Sequence, residues 1–382
     1  MLKKIPALII LGLFAMSHAM AEVKINGFAS VVTGIDLEDD GNPTNDYSSR
    51  TADNLQESKV GLQFTADLDD GMRFVGQTVA RGNSADGFVL AYDWAYFDFN
   101  VGDSGKLKIG RLRIPFYKYS DYLDVGYAYH WVTPPKSMYS LNFSNIDGIG
   151  YQQNFNTGSM EHSVNAVIGR YQGTLQIGGV DSTGNLENLI AINYSAVMGN
   201  HEFYIAYAQA DTYIESTSVT TLSGFASNPN DVLINGDKGS FVGVGYKGSF
   251  GDIGVFAEAS QVKVDDSVIQ DSMGSYIGAS YNMGDMIYHI TYEMSDSEGK
   301  TITGSSAPAE AGLNANARAL GSRSSEGTSN TITLGARKDI GISSAVKVDL
   351  SSYTEDRFQS AAATEKSEQK ALLLRVAVET MF

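Results

Sequence analysis

Lys370-Ala-Leu-Leu-Leu-Arg-Val-Ala-Val-Glu-Thr-Met-Phe382 ends the chain and alternates in polarity. One parity carries Leu372, Leu374, Val376, Val378 and Phe382; the other carries Arg375, Ala377 and Glu379. A terminal strand with one apolar and one polar face suits lipid on one side and water on the other, provided that the sheet closes and leaves no unpaired edge. The reading is a transmembrane β-barrel of the outer-membrane type, and it makes demands on the rest of the chain.

The N-terminus meets the first demand. Lys3 and Lys4 precede an apolar run from Ile5 to Met16, and Ala19-Met20-Ala21 is a small-x-small cleavage site. Residues 1–21 therefore read as a signal peptide, too short to span a membrane as a helix, and residues 22–382 as a single domain without a linker. Hydrophobic residues make up 43% of the chain and mean hydropathy is −0.14. That is ordinary for a soluble protein and equally for a barrel whose alternate residues face water. Forty glycines and 21 tyrosines against seven prolines suit many strands, tight turns and interfacial aromatic belts. With no cysteine in an oxidising compartment, the sheet itself must hold the fold. Without Lys3 and Lys4 the mature chain carries 25 Lys and Arg against 44 Asp and Glu, a net charge of −19. Nucleic acid is excluded as a partner on that charge.

Period-2 segments follow one another along the chain. They are Val23–Ile35, Glu57–Leu68, Met72–Gly82, Phe88–Asn100, Gly105–Ile114, Ile146–Phe155, Met160–Tyr171 and Glu187–Met198. Then come His201–Thr212, Ser240–Phe250, Ile253–Val264, Ser272–Met283, Met286–Ser295, Thr328–Lys338, Ser343–Thr354 and Glu368–Phe382. Their connections alternate between tight Gly/Asn/Asp turns, such as Gly199-Asn200 and Gly251-Asp252, and long polar stretches. The long ones are Asp36–Gln56, Pro115–Asn145, Tyr213–Gly239, Asp296–Gly327 and Glu355–Ser367. The expected fold is all-β, a 16-stranded antiparallel transmembrane barrel with short periplasmic turns and long external loops. Sixteen strands leave an aqueous channel, so passive diffusion of small hydrophilic solutes and ions is the expected function.

Polar parity assigns the inner wall. It should carry Lys24, Lys59, Arg73, Arg81, Lys106, Lys108, Arg337, Lys347 and Arg375, a basic arc, with Lys247 and Glu258 on an otherwise Ser, Thr, Asn and Gln surface. Arg111 and Arg113 share parity with Leu107 and Ile109, which points them outward unless Gly110 marks a bulge that re-aims them. The bulge is the favoured reading, because a charge facing lipid near mid-membrane costs ~2–4 kcal/mol.

Gly110-Arg-Leu-Arg-Ile-Pro115 leads into Phe116-Tyr-Lys-Tyr-Ser-Asp-Tyr-Leu-Asp-Val-Gly-Tyr-Ala-Tyr-His-Trp-Val132. With its leader, sixteen strands, Arg-rich fifth strand, long third loop and terminal Phe, the chain resembles the Gram-negative trimeric porins across its whole mature length. The resemblance is sharpest from Arg111 to Tyr129. It implies a third loop folded into the lumen whose carboxylates, here Asp121 and Asp124, face basic wall residues. It also implies a homotrimer in the outer membrane, in contact with lipopolysaccharide and lipid, and delivered by assembly machinery that reads Phe382. The loop lacks the Pro-Glu-Phe-Gly-Gly run of enteric porins, Gly27-Phe28 follows Asn26 where those have Tyr-Gly, and Thr380 replaces a common apolar residue. The constriction of those relatives therefore does not transfer residue by residue, and an external cap is the competing reading of the loop.

The expected pore constriction comprises Asp121, Asp124, Arg111, Arg113, Arg73, Arg81, Lys59, Lys347 and Arg375, with Phe382 as assembly signal. Arg375→Ala is expected to alter selectivity alone. The acidic first loop, with Asp36, Glu38, Asp39, Asp40, Asp46 and Asp53 against Arg50, lacks an EF-hand pattern and reads as solvated or bridged to lipopolysaccharide. No cofactor, metal site or catalytic role is expected, because His130, His162, His201 and His289 lack an evident nucleophile partner. Two alternatives stay open: a substrate-selective, anion-preferring channel, and a surface receptor or adhesin that works through its acidic loops.

Overall fold

The computed structural model describes residues 22–38, 47, 50–68, 71–83, 87–139, 141, 143–177, 180–215, 220, 223, 233–267, 269–300, 326–358 and 365–382. The expected leader at 1–21, the acidic stretch at 39–46 and residues 301–325 lie outside the described residues.

Sixteen strands run in order: β1 (Val23–Asp36), β2 (Lys59–Asp67), β3 (Met72–Asn83), β4 (Gly87–Val101), β5 (Gly105–Arg113), β6 (Asn145–Thr157), β7 (Met160–Ile177) and β8 (Val180–Met198). They continue with β9 (His201–Glu215), β10 (Ile234–Phe250), β11 (Ile253–Val264), β12 (Asp271–Met283), β13 (Met286–Glu298), β14 (Gly327–Ile340), β15 (Ser344–Phe358) and β16 (Lys366–Met381). Each pairs antiparallel with its neighbour in sequence, and β1 pairs with β16 to close the barrel. Closure leaves no strand edge unpaired, which is what spanning lipid requires.

Tight turns at 199–200, 251–252 and 284–285 sit on one rim, and the long connections sit on the other. Gly251 and Gly284 take φ of 63° and 65°, the left-handed backbone that a two-residue hairpin needs and that glycine adopts without strain. Apolar residues of one parity remain exposed, among them Ile190, Ile192, Val242, Val244, Ile290, Leu334, Val376 and Val378. Their opposite-parity neighbours Ala191, Thr291, Arg375 and Ala377 are buried. A continuous apolar band around a closed sheet is a surface for hydrocarbon, not water.

Several expectations differ from the structure. β7 and β8 continue beyond Tyr171 and Glu187 to pair Ile177 with Val180, while β9 and β10 run into the expected loop Tyr213–Gly239. Above the membrane both faces of a strand meet water, so alternation fades while the hydrogen-bond ladder persists. Gly110 is not a bulge: Tyr96–Gly110 and Gly110–Gly148 pair in register. It takes φ 138°, and a Cβ there would strike the Ala95 carbonyl and the Tyr96 backbone, so the glycine serves close approach of β4. The nearby bulge falls one strand earlier, where Gln77 pairs with Trp94 but Thr78 with Tyr92. That leaves Asp93 as the extra residue and lets exposed Tyr92 and exposed Phe97 face the same way despite opposite parity.

Candidate functional site

The segment at 114–144 between β5 and β6 carries two short 3-10 turns, Ser120–Tyr122 and Gly126–Ala128. Its residues bond to inward-parity side chains on distant strands. Tyr204 Oη donates to the Pro115 carbonyl at 2.9 Å. Glu258 Oε1 accepts the Lys118 N–H at 2.9 Å, and its Oε2 accepts the Tyr139 hydroxyl at 2.7 Å. Trp131 Nε1 donates to Thr291 Oγ1 at 2.9 Å, and the Val132 N–H donates to Asp349 Oδ2 at 2.9 Å. Phe116 packs on Phe241 with centroids 4.9 Å apart. These aromatics form the largest buried cluster among the described residues, which explains why so many of them follow Pro115.

At the start of the segment the chain builds a compact ion cluster. Arg81 on β3 donates to Asp124 at 3.1 and 2.7 Å and to Asp93 on β4 at 3.0 and 2.5 Å. Arg113, at the end of β5, donates to Asp124 at 2.9 Å and to Asp93 at 3.2 Å, and stacks over Trp94 with 5.2 Å to the ring centroid. Lys59 Nζ reaches the Leu123 carbonyl at 3.4 Å. Burial alone would raise the Asp124 carboxyl, but Arg81, Lys59 and Arg113 outweigh it and hold the group well below the usual carboxylate range. Alongside, Asp98 on β4 accepts from Arg73 at 2.5 Å and lies 3.6 Å from Lys106, while Lys108 donates to Gln152 at 3.2 Å. Asp121 is exposed, within electrostatic reach of Lys108 and Tyr122.

The expected site thus divides. Asp124, Arg81, Arg113 and Lys59 come together, with Arg73 and Asp121 nearby. Arg111 does not join them. It keeps the parity of exposed Ile109 and pairs with Asp147 of β6 at 2.8 and 3.0 Å, whereas Arg113, of the same parity, reaches Asp93 and Asp124 where β5 ends. Lys347 and Arg375 face inward but lie behind the segment, not on an open wall. Lys347 Nζ bonds the Gly126 and Trp131 carbonyls at 2.7 Å each and Glu379 at 2.5 Å. Arg375 donates to Ser351 Oγ at 2.9 Å and reaches Glu57 and Thr133, both at 3.4 Å. Arg337 holds the Tyr127 and Tyr129 carbonyls at 2.7 and 2.9 Å. The basic arc is therefore two groups, one gripping the segment and one facing it.

Sequence reading missed the inward carboxylates Asp93, Asp98, Asp349 and Glu379. Asp93 was hidden by the bulge; Asp98, Asp349 and Glu379 already stand on inward parity, and opposite-charge neighbours on adjacent strands were the signal available. Each of the four described histidines has a neighbour: His162 Nδ1 lies 2.7 Å from Tyr194 Oη, His201 Nδ1 lies 2.8 Å from Tyr246 Oη, and His289 Nε2 lies 3.1 Å from Asp349. His130 packs against Trp131, with ring centroids 4.2 Å apart and the planes tilted by 44°. In the first loop, Asp36 and Asp53 use their carboxylates on backbone N–H groups of Glu38 and Leu55.

The same architecture occurs in solved outer-membrane proteins. The outer membrane channel DcaP of Acinetobacter baumannii superposes with a TM-score of 0.59 at 15% identity, covering 96% of this chain and 99% of that one. An anion-selective porin from Comamonas acidovorans gives 0.55 at 14% identity over 95% and 100%. The trimer form of OmpT from Vibrio cholerae gives 0.54 at 12% identity over 95% and 100%. No curated protein sequence matches the chain. The sequence model of the Gram-negative porins matches residues 7–357. A closed 16-stranded barrel, an apolar outer band, charged groups on its inner face and that match together make this chain a member of the Gram-negative porin family, an outer-membrane channel.

Proposed function

We propose that the chain works as a homotrimeric diffusion porin, exported on a leader cleaved after Ala21, in which the segment at 115–145 folds into the lumen and sets the aperture. The observation that carries this reading is the bonding of Asp124 on the segment to Arg81 and Arg113 on the wall. Water and solutes then pass between exposed Asp121 and the wall of β2 to β5, which carries Lys59, Arg73, Arg81, Lys106 and Lys108. Those cations, with Arg113, outnumber the carboxylates Asp93, Asp98, Asp121 and Asp124, so the aperture favours small anions although the whole chain is acidic. Low-dielectric walls strengthen that local field relative to the distant loop charges. No catalysis is assigned to the chain.

Planar-bilayer recording tests this. Ohmic conductance with a reversal potential favouring anions in a salt gradient is expected, and the double variant Asp121→Asn, Asp124→Asn should move it further toward anions. An unchanged reversal potential would put the segment outside the conducting path, whereas saturation by one solute would favour a substrate-selective channel. Absence of conductance would sink the porin reading and favour a surface receptor.

A further inference from the structure

The inner wall of a water-filled barrel is ordinarily polar. Toward the long-loop rim, the inward positions of β7 to β11 depart from this. Leu175, Leu186, Ile214, Phe241 and Val264, with Phe143 of the segment after β5, line a cavity of about 290 Å³. That is near the lower end of the roughly 300–1,000 Å³ typical of small-molecule sites. Seating the segment does not account for all of this surface, since Leu175, Ile214 and Val264 stand outside the aromatic core on which it rests.

The cavity also carries hydroxyls, Thr212, Ser260, Ser272, Ser295 and Ser297. Among the described residues no carboxylate lines it, and the two cations that do already have carboxylate partners, Lys136 with Glu57 at 2.7 Å and Lys263 with Asp271 at 3.7 Å. An ionised ligand would lose hydration here without a compensating charge. An apolar body has the leucine and phenylalanine surface to cover, and a hydroxyl-bearing end has the lining hydroxyls to bond.

We propose that this cavity binds an uncharged amphipathic solute, with an aryl or alkyl body and a hydroxylated end, on the outer side of the aperture. The proposal rests on the channel reading for its biological setting, but its binding test does not require conduction. Phenyl β-D-glucoside is the probe, titrated calorimetrically into the protein in lipid nanodiscs. Glucose, which lacks the aryl body, and benzoate, which adds a charge, are the controls. The glucoside should bind at least about tenfold more tightly than either control, the scale of one well-buried apolar contact. Leu175→Gln, which makes the apolar wall polar, and Val264→Phe, which fills the space beside it, both outside the core that seats the segment, should each weaken the glucoside by at least about tenfold while the variants keep wild-type conductance. If Leu175→Gln does not fold, Val264→Phe decides alone. Equal affinity for glucose and the glucoside, or unchanged affinity in the folded variants, would overturn the site. Binding without conductance would instead strike the channel reading and leave the site standing.

Discussion

Lys347 concentrates the electrostatic problem of this lumen in one side chain. It and Glu379 lie on adjacent strands with their side chains fully buried, 2.5 Å apart. Two charges leave water together at a cost that their attraction and the Gly126 and Trp131 carbonyls offset. Removing one partner leaves the other charge without compensation. Lys347→Ala is therefore expected to destabilise the folded barrel by about 3–5 kcal/mol, read from the denaturant midpoint, while Lys347→Met with Glu379→Gln should recover most of it. A midpoint unchanged by the single substitution would show that the pair does not hold the segment. Arg375 belongs to the same logic. Buried against Ser351, Thr133 and Glu57, it holds structure, so Arg375→Ala should cost stability and not selectivity alone.

At the scale of the element, the segment at 114–144 is fixed by aromatic packing and by a buried histidine. The His130 ring lies 4.7 Å from the rings of both Phe256 and His289. Burial lowers its pKa well below the ordinary 6.5, and the nearby His289, Lys347, Lys247 and Arg337 push it the same way. A depressed histidine is neutral when docked and takes a proton when released. Docking is thus fully favourable above about pH 6.5 and weakens as pH falls below it. Limited proteolysis of the segment between pH 7.5 and 4.5 should show increasing cleavage, and His130→Phe, which keeps the ring packing, should flatten that profile. An equally steep profile in His130→Phe would assign the effect to other groups. The segment's length, aromatics and carboxylates were legible in the sequence. Its seating was not, because alternation tells which way a residue faces and nothing about which distant residue packs against it.

For the whole molecule, closure is the decisive event, and the last residue takes part in it. Phe382 exchanges two backbone hydrogen bonds with Gly27, at 2.7 and 2.9 Å, and its ring occupies the space that a side chain at Gly27 would need. Deleting Phe382 removes both bonds, worth about 0.5–1.5 kcal/mol each, at the seam where β1 meets β16. Folding into vesicles should slow, and the heat-modifiable folded band on gels should shrink by more than that stability loss predicts. Normal assembly of the truncated chain would remove Phe382 from the closing step.

Sixteen strands, their inward and outward faces and their short and long connections were written in period-2 alternation, because each strand had to present one face to hydrocarbon and one to water. Turn glycines and the apolar parity of β16 needed no partner to be understood. What tertiary structure decided was the pairing of charges. The bulge at Asp93 turned a strand residue into a ligand for Arg81 and Arg113, the unbulged Gly110 left Arg111 outside, and the buried segment converted Lys347 and Arg375 from wall charges into anchors. Alternation is a local property of one strand against two solvents. Which cation meets which carboxylate depends on positions brought together only when the sheet closes and the 114–144 segment packs against its strands.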